Sequence, residues 1–469
     1  MSQLEDRIEA VEHSLSPQTP IAGERYGWSI AERMDFYRVP GVSLAVMNDG
    51  AVAWAKGYGR RDLDEPNLPV APDTLFQAAS MSKPVTGAAV MMLVQDGLLD
   101  LDVNVNYYLK SWTLPENHLT EGNPVTLRKV LSHTAGLSGH GWPGYKRGRQ
   151  IPTIQQVLDG EPPAESAPVR VVLPPGAQNQ YAGGGTLIAQ LCVEDVSGMD
   201  FDTFTRERLF APLGIAQSCF EQPLSRARSA NAAAGHRVDP RTITGKWRVL
   251  PQLGAGGLWT TARDYAAFML GLQKAYKGLP GGLMDQTLAR EMMTISPPGL
   301  YGLGPRVLGE GETRFFEHGG SQQGYKSESF CYLEEGRGAV VLTNGDNGSL
   351  LAFEILNAVA EAYGWRGYAR EPKPIFRLPP ETLDKYVGRY RVISGMEIPH
   401  VAVRRDGDQL MSVMAGVPDT PLFASSTQDF FSPYTPYDIR FEFADDGRAE
   451  RILVFERGAE IMVTERDDK

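Results

Sequence analysis

The strongest constraint on the fold is a stretch from Thr74 to Asp100 that is almost entirely apolar after its first few residues. It reads TLFQAASMSKPVTGAAVMMLVQDGLLD. A helix that is apolar on all sides is a buried helix. Pro84 would be tolerated in the first turn, where an amide has no helical partner to lose, and Gly97 is typical of the position just past a helix C-terminus. The sequence therefore predicts a central buried helix with Ser80 at its N-terminus.

Ser80 and Lys83 form the only Ser-x-x-Lys sequence in the chain. Side chains three residues apart on a helix are neighbours, with roughly 5–6 Å between their Cβ atoms. A lysine in a poorly hydrated pocket loses proton affinity, because burial disfavours its charge. The neutral amine can then accept the proton of a neighbouring serine hydroxyl, and the helix N-terminus adds partial positive charge where an oxyanion would form. Both residue types are common, so the motif alone could arise by chance.

The sequence lacks the motifs of other types of catalytic site. The chain contains no Gly-x-Ser-x-Gly, His-Glu-x-x-His or Cys-x-x-Cys sequence. If the chain is an enzyme of this kind, Ser80 is its leading nucleophile, and the chemistry requires no cofactor and no metal. Three widely spaced cysteines predict core residues and neither a disulfide framework nor a zinc site. They are Cys192, Cys219 and Cys331.

Length and charge restrict the class of protein. The 469 residues exceed what one hydrophobic core usually supports, so we expect two domains. The net charge of −11 and the lack of a basic cluster argue against a nucleic-acid partner. No apolar run reaches the roughly 20 residues that span a bilayer, and the acidic N-terminus has no signal-peptide core. We expect a cytoplasmic protein without membrane contact; the alternative is export with a signal that has been removed.

The two ends of the chain carry their own patterns. Leu4, Ile8, Val11 and Leu15 recur at helical spacing, which predicts an amphipathic helix. We expect it to pack on the body of the protein, and a homodimer contact is the alternative. A proline-rich stretch over 370–380 predicts a linker. The short strand-like runs after it predict a small antiparallel β-barrel. They are YVGRYRV, HVAVRR, QLMSVM, IRFEFA and RILVFE.

Further along the chain, two segments could complete a serine site. Tyr181 precedes a run of glycines, where backbone can approach a ligand closely. A phenol beside an ammonium group can be held partly ionised and carry protons, although a core tyrosine is the simpler interpretation. His318, Gly319 and Gly320 could form a wall of the site, with the backbone amides of Ser80 and Ser321 as an oxyanion hole. A surface histidine is the alternative for His318. We expect His133 to have a structural role, and the segment 139–175, rich in Gly and Pro, to be a loop that sets specificity.

Ser80-x-x-Lys83, Tyr181 and His318-Gly319-Gly320, in that order, resemble the three motifs of the class C β-lactamase and penicillin-binding-protein superfamily. The chain is most similar to its branch of esterases, D-aminopeptidases and acylases, through the stretches LRKVLSHTAGL, GGLWTTARDYAAFM and YGLG. The resemblance implies an α/β (α+β) fold: a β-lactamase/transpeptidase-like antiparallel sheet with flanking helices and a helical subdomain. It also implies that residues 1–370 form the serine hydrolase domain and residues 371–469 a lipocalin-like β-barrel domain. An acyl-enzyme would form on Ser80, with Lys83 and Tyr181 sharing the base and acid roles.

Two positions depart from the motifs of true β-lactamases. Gly183 stands where the second motif usually has asparagine, which removes an amide that would bind a substrate amide. His318 stands where the third motif has lysine, and a mostly neutral histidine attracts a substrate carboxylate weakly. Both departures argue against efficient β-lactam hydrolysis. Gly183, His318, Gly319 and Gly320 are the substrate-binding positions that the resemblance implies.

These observations favour a serine hydrolase, most of all a carboxylesterase acting on small or medium esters. A D-stereospecific aminopeptidase or amidase is the first alternative, with a short peptide or amide as substrate. A penicillin-binding-like protein that forms a stable acyl adduct with little turnover is the second.

Overall fold

The computed structural model describes residues 3–239, 241–394, 398–414 and 417–467, and the chain divides into two compact units. One unit is Ala31–Ala352, and the other combines Met1–Ile30 with Phe353–Lys469. The domain limits expected from the sequence, 1–370 and 371–469, stay a prediction.

The helices of the described chain vary from single turns to four turns. They are α1 Gln3–His13, α2 Ile30–Tyr37, α3 Ser82–Gln95, α4 Leu127–Leu131, α5 Ile154–Asp159, α6 Gly183–Ser197, α7 Phe201–Thr205, α8 Arg226–Ser229, α9 Leu253–Gly256, α10 Ala262–Lys277, α11 Gln286–Met292 and α12 Gly348–Ala362.

The strands fall into a large sheet, a barrel and two short ladders. They are β1 Gly41–Asn48, β2 Ala51–Gly59, β3 Phe76–Gln77, β4 Tyr145–Lys146, β5 Arg248–Val249, β6 Trp259–Thr260, β7 Arg306–Leu308, β8 Phe315–Glu317, β9 Gly320–Gln322, β10 Tyr325–Tyr332, β11 Gly338–Thr343, β12 Gly388–Ser394, β13 His400–Asp406, β14 Gln409–Met414, β15 Val417–Ala424, β16 Asp429–Phe431, β17 Tyr437–Phe443, β18 Ala449–Glu456 and β19 Ala459–Arg466.

The larger unit is built on an antiparallel sheet. Its strand order is β2-β1-β11-β10-β8-β7, and β9 pairs with β10 beside this path. The β1–β2 hairpin turns through Asp49 and Gly50, both with positive φ (52° and 70°), as the favoured two-residue hairpin turn requires. Helix α10 packs against β1, β2, β10 and β11. The antiparallel sheet with flanking helices confirms the predicted fold class.

Helix α3 is the centre of this unit, as its composition predicts. Every residue from Ser82 to Leu93 is buried, and Gly97 follows the helix with φ of 69°. Helices α6, α9 and α11 pack around α3. A central helix enclosed by other helices can bury the side chain of Lys83 as well as its apolar ones.

The segment 139–175 is more ordered than a loop. It contains β4, which pairs with β5, and the short helix α5. Thr153 caps α5 in a capping box: its hydroxyl accepts from the Gln156 amide, and the Gln156 side chain accepts from the Thr153 amide. The expectation of a plain loop was therefore wrong over these residues, because the Thr-x-x-Gln start signal stands among prolines and glycines.

The smaller unit contains a closed antiparallel barrel whose described strands run from β12 to β19 in sequence order. This confirms the small C-terminal barrel. Five strands coincide with the predicted runs, whereas β15, β16 and β19 were missed. The β15 sequence, VPDTPLFA, contains two prolines, which weaken a strand pattern. Tyr390, Phe441 and Ala449 lie fully buried in the barrel core.

The helix predicted at the N-terminus is α1, which belongs to the smaller unit. Val11 and Leu15 are buried, whereas Leu4 is exposed. A dimer contact through this helix stays a prediction.

The three cysteines are free and buried, in agreement with the prediction of core residues. Among the described residues, no helix combines the length and apolar character needed to cross a membrane.

Candidate active site

Ser80 lies in a 3-10 turn, Ala79–Met81, that leads directly into α3. The turn is held by Ser82, whose hydroxyl donates to the Ala79 carbonyl at 2.6 Å and accepts from the Leu258 amide at 3.0 Å. Ala79 has a φ of 48°, a left-handed conformation that residues with a Cβ rarely adopt. Such strain costs about 1–3 kcal/mol and persists where the surroundings enforce it. It leaves Ser80 half-buried, with its hydroxyl facing a cleft.

Lys83 reaches Ser80 from the first turn of α3. Its Nζ donates to the Ser80 Oγ at 3.0 Å and to the Ala255 carbonyl at 2.9 Å, and its side chain is almost fully buried. Burial lowers the pKa of Lys83 to about 7. At neutral pH a large share of the amine is therefore uncharged. When the amine is uncharged, one N–H can stay on the Ala255 carbonyl while the lone pair, instead of an N–H, faces the Ser80 hydroxyl.

Tyr181 completes the predicted group. The Lys83 Nζ lies 4.8 Å from the centroid of the Tyr181 ring. Burial raises the pKa of Tyr181 above that of a free phenol, and a hydrogen bond with the Ser80 side chain only partly offsets this effect. A partly ionised phenol was expected, but here the phenol keeps its proton at neutral pH. Tyr181 is thus placed to donate a proton, while Lys83 is placed to accept one.

His133 packs against Tyr181, a contact that the sequence analysis, which expected a structural role for His133, did not predict. Its ring lies 4.4 Å from the Tyr181 ring between centroids, and its Nδ1 accepts from the Ala182 amide at 3.2 Å. The backbone of His133 has a φ of 58°, which directs the ring from the turn after α4 into the site. Burial lowers the pKa of His133 well below its usual value, so the ring is neutral.

His318 is also neutral and buried. Its Nδ1 donates to the Gly319 carbonyl at 2.6 Å, and its ring centroid lies 6.4 Å from that of Tyr181. Burial, reinforced by the charge of Lys83, lowers the pKa of His318 to about 3. Its Nε2 is buried, and among the described residues it has no hydrogen-bond partner. His318 therefore carries no positive charge, and its Nε2 is an acceptor without a partner among the described residues.

Gly320 lets β9 run directly against the Ser80 turn. A Cβ on Gly320 would lie 2.1 Å from the Ala78 carbonyl oxygen, a distance that no side chain can take without moving backbone. The next residue, Ser321, lines the same cleft as Ser80. This close approach is what the predicted oxyanion hole of the Ser80 and Ser321 amides requires.

If the Ser321 amide is an oxyanion donor, Gly320→Ala is expected to lower kcat/KM for a 4-nitrophenyl ester probe by about 10²-fold, the usual cost of losing one such donor. The added methyl group pushes β9 away from the turn, so the loss falls on kcat rather than KM. Steady-state kinetics with a nitrophenyl ester measure both constants.

Gly319→Ala is the matched control for Gly320→Ala. The nearest atoms that a Cβ on Gly319 would meet belong to the carboxylate of Glu328, the flexible end of a side chain, and the closest of them would lie at 2.5 Å. It should keep most of the activity. Equal losses in the two variants would contradict a specific role for the contact between β9 and the turn.

The substrate cleft beside Ser80 has an empty volume of about 360 Å³, open solvent included. Its walls come from four parts of the larger unit: the start of α3, the segment 140–142, the residues around α9, and β9. Besides Ser80, Lys83 and Ser321, the cleft is lined by His140, Trp142, Leu250, Gln252, Ala255 and Gln322, among others. Among the described residues, no group of His, Cys, Asp or Glu is arranged to hold a metal ion.

Gly183 does not line this cleft. Its amide donates to the His140 carbonyl at 3.2 Å, and a Cβ there would meet Trp142 at 2.9 Å. That Gly183 contacts substrate stays a prediction, as it does for His318, Gly319 and Gly320. The segment 140–142 fills the place that a side chain at position 183 would occupy.

The Beta-lactamase family model matches residues 29–363, which is most of the chain. The chain belongs to the beta-lactamase family. This membership indicates a serine hydrolase of the beta-lactamase fold.

Two curated relatives align with different shares of this chain. Penicillin-binding protein 4* of Bacillus subtilis is 22% identical, over 88% of this chain and 92% of that protein. The unguisins hydrolase ungD' of Aspergillus campestris is 28% identical over 52% of this chain, and the match spans 46% of that hydrolase's length.

Solved beta-lactamase-like structures share the fold. The octameric penicillin-binding protein homologue from Pyrococcus abyssi has a TM-score of 0.60 at 23% identity, covering 93% of this chain and 98% of that one. The D-amino acid amidase from Ochrobactrum anthropi has a TM-score of 0.60 at 22% identity, covering 77% of this chain and 99% of the amidase.

In this member of the beta-lactamase family, several residues of the site were not named as site residues in the sequence analysis. The Ala255 carbonyl and Gln252 come from the residues just before the stretch GGLWTTARDYAAFM. Tyr301, whose ring lies 4.7 Å from that of His133, comes from the stretch YGLG. That stretch and LRKVLSHTAGL are the signals that could have pointed to Tyr301 and His133.

Proposed function

We propose that this protein is a serine hydrolase that works through an acyl-enzyme on Ser80, and that it acts as a carboxylesterase on small or medium esters. The observation that carries the proposal is the buried Lys83 amine, 3.0 Å from the Ser80 hydroxyl at the edge of an open cleft. A desolvated amine with a pKa of about 7 is matched to a general base at neutral pH.

The proposed reaction has two halves. Neutral Lys83 accepts the Ser80 proton as the Ser80 oxygen bonds to the ester carbonyl carbon, and the amides of Ser80 and Ser321 stabilise the oxyanion. Tyr181 donates its proton to the leaving alkoxide as the ester C–O bond breaks, and the Lys83 ammonium restores the Tyr181 proton. Water then attacks the carbonyl carbon of the acyl-enzyme while Lys83 accepts a proton from that water. The bond to the Ser80 oxygen breaks, and the Lys83 ammonium returns the proton to Ser80, which releases the acid.

Two features favour esters over β-lactams. Position 183 is a glycine and presents no side-chain amide, and the segment 140–142 covers it. His318 is neutral, so it provides no cation for a substrate carboxylate at the position of the third motif. Esters also need less help from the enzyme than amides, because an alkoxide leaves more readily than an amine.

A D-stereospecific amidase or aminopeptidase is the second candidate. The buried Nε2 of His318 has no hydrogen-bond partner among the described residues and could accept from the amino group of such a substrate. Structural neighbours include a SurE complex with D-Leu and the D-amino acid amidase named above. Their identities, 23% and 22%, support the fold alone.

A panel of substrates tests the proposal. The purified protein should hydrolyse 4-nitrophenyl butyrate with a kcat/KM at least about 10²-fold above that for D- and L-alanine 4-nitroanilide. Faster cleavage of the D-anilide than of the ester would favour the amidase. Stable labelling of Ser80 by a fluorophosphonate or a penicillin, without turnover of any ester or amide, would favour the acyl-adduct protein and overturn the esterase.

A further inference from the structure

The cleft beside Ser80 contains a buried amide that the fold does not use. Gln252 lines the cleft and is only 1% exposed. Among the described residues, neither its Nε2 nor its Oε1 has a hydrogen-bond partner. Burying an amide without partners is costly, because it loses its hydrogen bonds to water. A side chain with both ends unpaired in a substrate cleft therefore suggests a ligand that supplies the missing partners.

No hydrogen bond of the surrounding backbone accounts for the burial of the Gln252 side chain. It precedes α9 at the N-cap position, but its side chain makes no capping hydrogen bond. The Gly254 amide at the start of α9 is instead bonded to the Gln190 side chain at 2.8 Å. Thr86 holds the same turn by donating to the Gly254 carbonyl at 2.8 Å. The turn that presents the Ala255 carbonyl to Lys83 is thus stabilised without any hydrogen bond from the Gln252 side chain.

The neighbouring glutamine in the cleft shows the ordinary arrangement. Gln322 is also buried, but its amide nitrogen donates to the Trp142 carbonyl at 3.5 Å and its oxygen accepts from the Gln323 amide at 3.0 Å. Both the nitrogen and the oxygen of the Gln322 side-chain amide are therefore hydrogen-bonded within the protein. Gln252 differs from it in having both a donor and an acceptor available within one side chain.

We propose that Gln252 is a substrate-binding residue that recognises an amide group in the acyl part of the substrate. A carboxamide side chain presents N–H and C=O next to each other, and a secondary amide presents the complementary pair. The preferred substrates are then esters of N-acyl amino acids or of short peptides. This inference rests on the proposed ester hydrolysis and narrows its substrate class.

The same proposal accounts for the lack of an amide at position 183. Position 183 is a glycine covered by the segment 140–142, so it provides no side chain that could hydrogen-bond a substrate amide. Gln252 lies in the cleft with Ser80 and Lys83 and provides such an amide from a different wall. Gln252 would therefore supply, at the start of α9, the side-chain amide that Gly183 at the start of α6 lacks.

Three phenyl esters that differ by one group test the proposal. Phenyl N-acetylglycinate offers a donor and an acceptor, phenyl 4-oxopentanoate offers the acceptor alone, and phenyl pentanoate offers neither. With each rate divided by that of hydroxide hydrolysis, the wild type should prefer the first over the third by at least about 10-fold in kcat/KM, with the ketone between them. In Gln252→Met, which keeps the length of the side chain, the three values should fall within about 3-fold of one another.

Thermal unfolding separates substrate binding from a structural role. Removing an unpaired buried amide should leave the Tm of Gln252→Met unchanged or slightly raised. A lower Tm together with an unchanged ranking of the three esters would overturn the proposal and make Gln252 structural. Equal rates for the three esters in the wild type would also overturn it, while leaving the hydrolase intact.

A binding measurement keeps the test independent of turnover. Phenyl N-acetylglycinate should bind Ser80→Ala about 10-fold more tightly than it binds the double variant Ser80→Ala, Gln252→Met, as measured by calorimetry. Equal dissociation constants would overturn the role of Gln252 even if no ester is hydrolysed. Failure of hydrolysis alone, with the difference in binding present, would overturn the proposed function and support this site.

Discussion

Ser80→Ala is expected to lower the kcat of ester hydrolysis by about 10⁶-fold, the scale of loss when a nucleophilic serine is removed from a serine protease. The alanine cannot form the acyl-enzyme, and Lys83 has no hydroxyl to deprotonate. Covalent labelling by a fluorophosphonate should disappear as well, which intact-protein mass spectrometry measures directly. The fold should persist, because the Ser80 side chain lies at the cleft and the turn is held by Ser82.

Ser82→Ala is the matched control, two residues further along the chain. Its hydroxyl bonds the Ala79 carbonyl and the Leu258 amide, so its loss leaves buried partners unpaired and should cost about 1–3 kcal/mol of stability. Fluorophosphonate labelling should still occur on Ser80. If Ser80→Ala were labelled as the wild type is, or if Ser82→Ala alone lost its label while folded, the assignment of the nucleophile would be wrong.

Lys83→Met is expected to lower kcat/KM by about 10³-fold, within the range that general base catalysis contributes. The change also alters the pH profile. Burial lowers the pKa of Lys83 to about 7, and below this pH the amine is protonated and cannot accept the Ser80 proton. The wild-type kcat/KM should therefore fall about tenfold per pH unit below pH 7 and level off above it. In Lys83→Met this inflection should be absent.

A second lysine separates this effect from a general loss of charge. Lys110 is exposed and donates to the Asp195 carbonyl at 2.7 Å, away from the cleft residues. Lys110→Met should keep both the rate and the inflection. A wild-type profile that rises only near the usual lysine pKa, or an inflection near pH 7 that persists in Lys83→Met, would contradict the role of Lys83 as the base.

The parts of the site that lie close together in the chain could be predicted from the sequence. Ser80 and Lys83 are three residues apart, and the helical repeat alone brings such side chains together. The apolar composition around them also predicted that the lysine would be buried, since a helix without a polar face must be enclosed. The central helix and the strands of the barrel followed from local sequence patterns in the same way.

What the sequence could not decide depends on contacts between distant segments. Ala255 lies more than a hundred residues from Lys83, and nothing local marks its carbonyl as the partner of the amine. The pKa of Tyr181 depends on how completely other segments exclude water from the phenol, and here desolvation outweighs the hydrogen bond with the Ser80 side chain. The covering of Gly183 and the unpaired amide of Gln252 have the same origin. The sequence determined which groups could react, whereas the tertiary structure decided which are buried, which are already bonded, and which are left for a substrate.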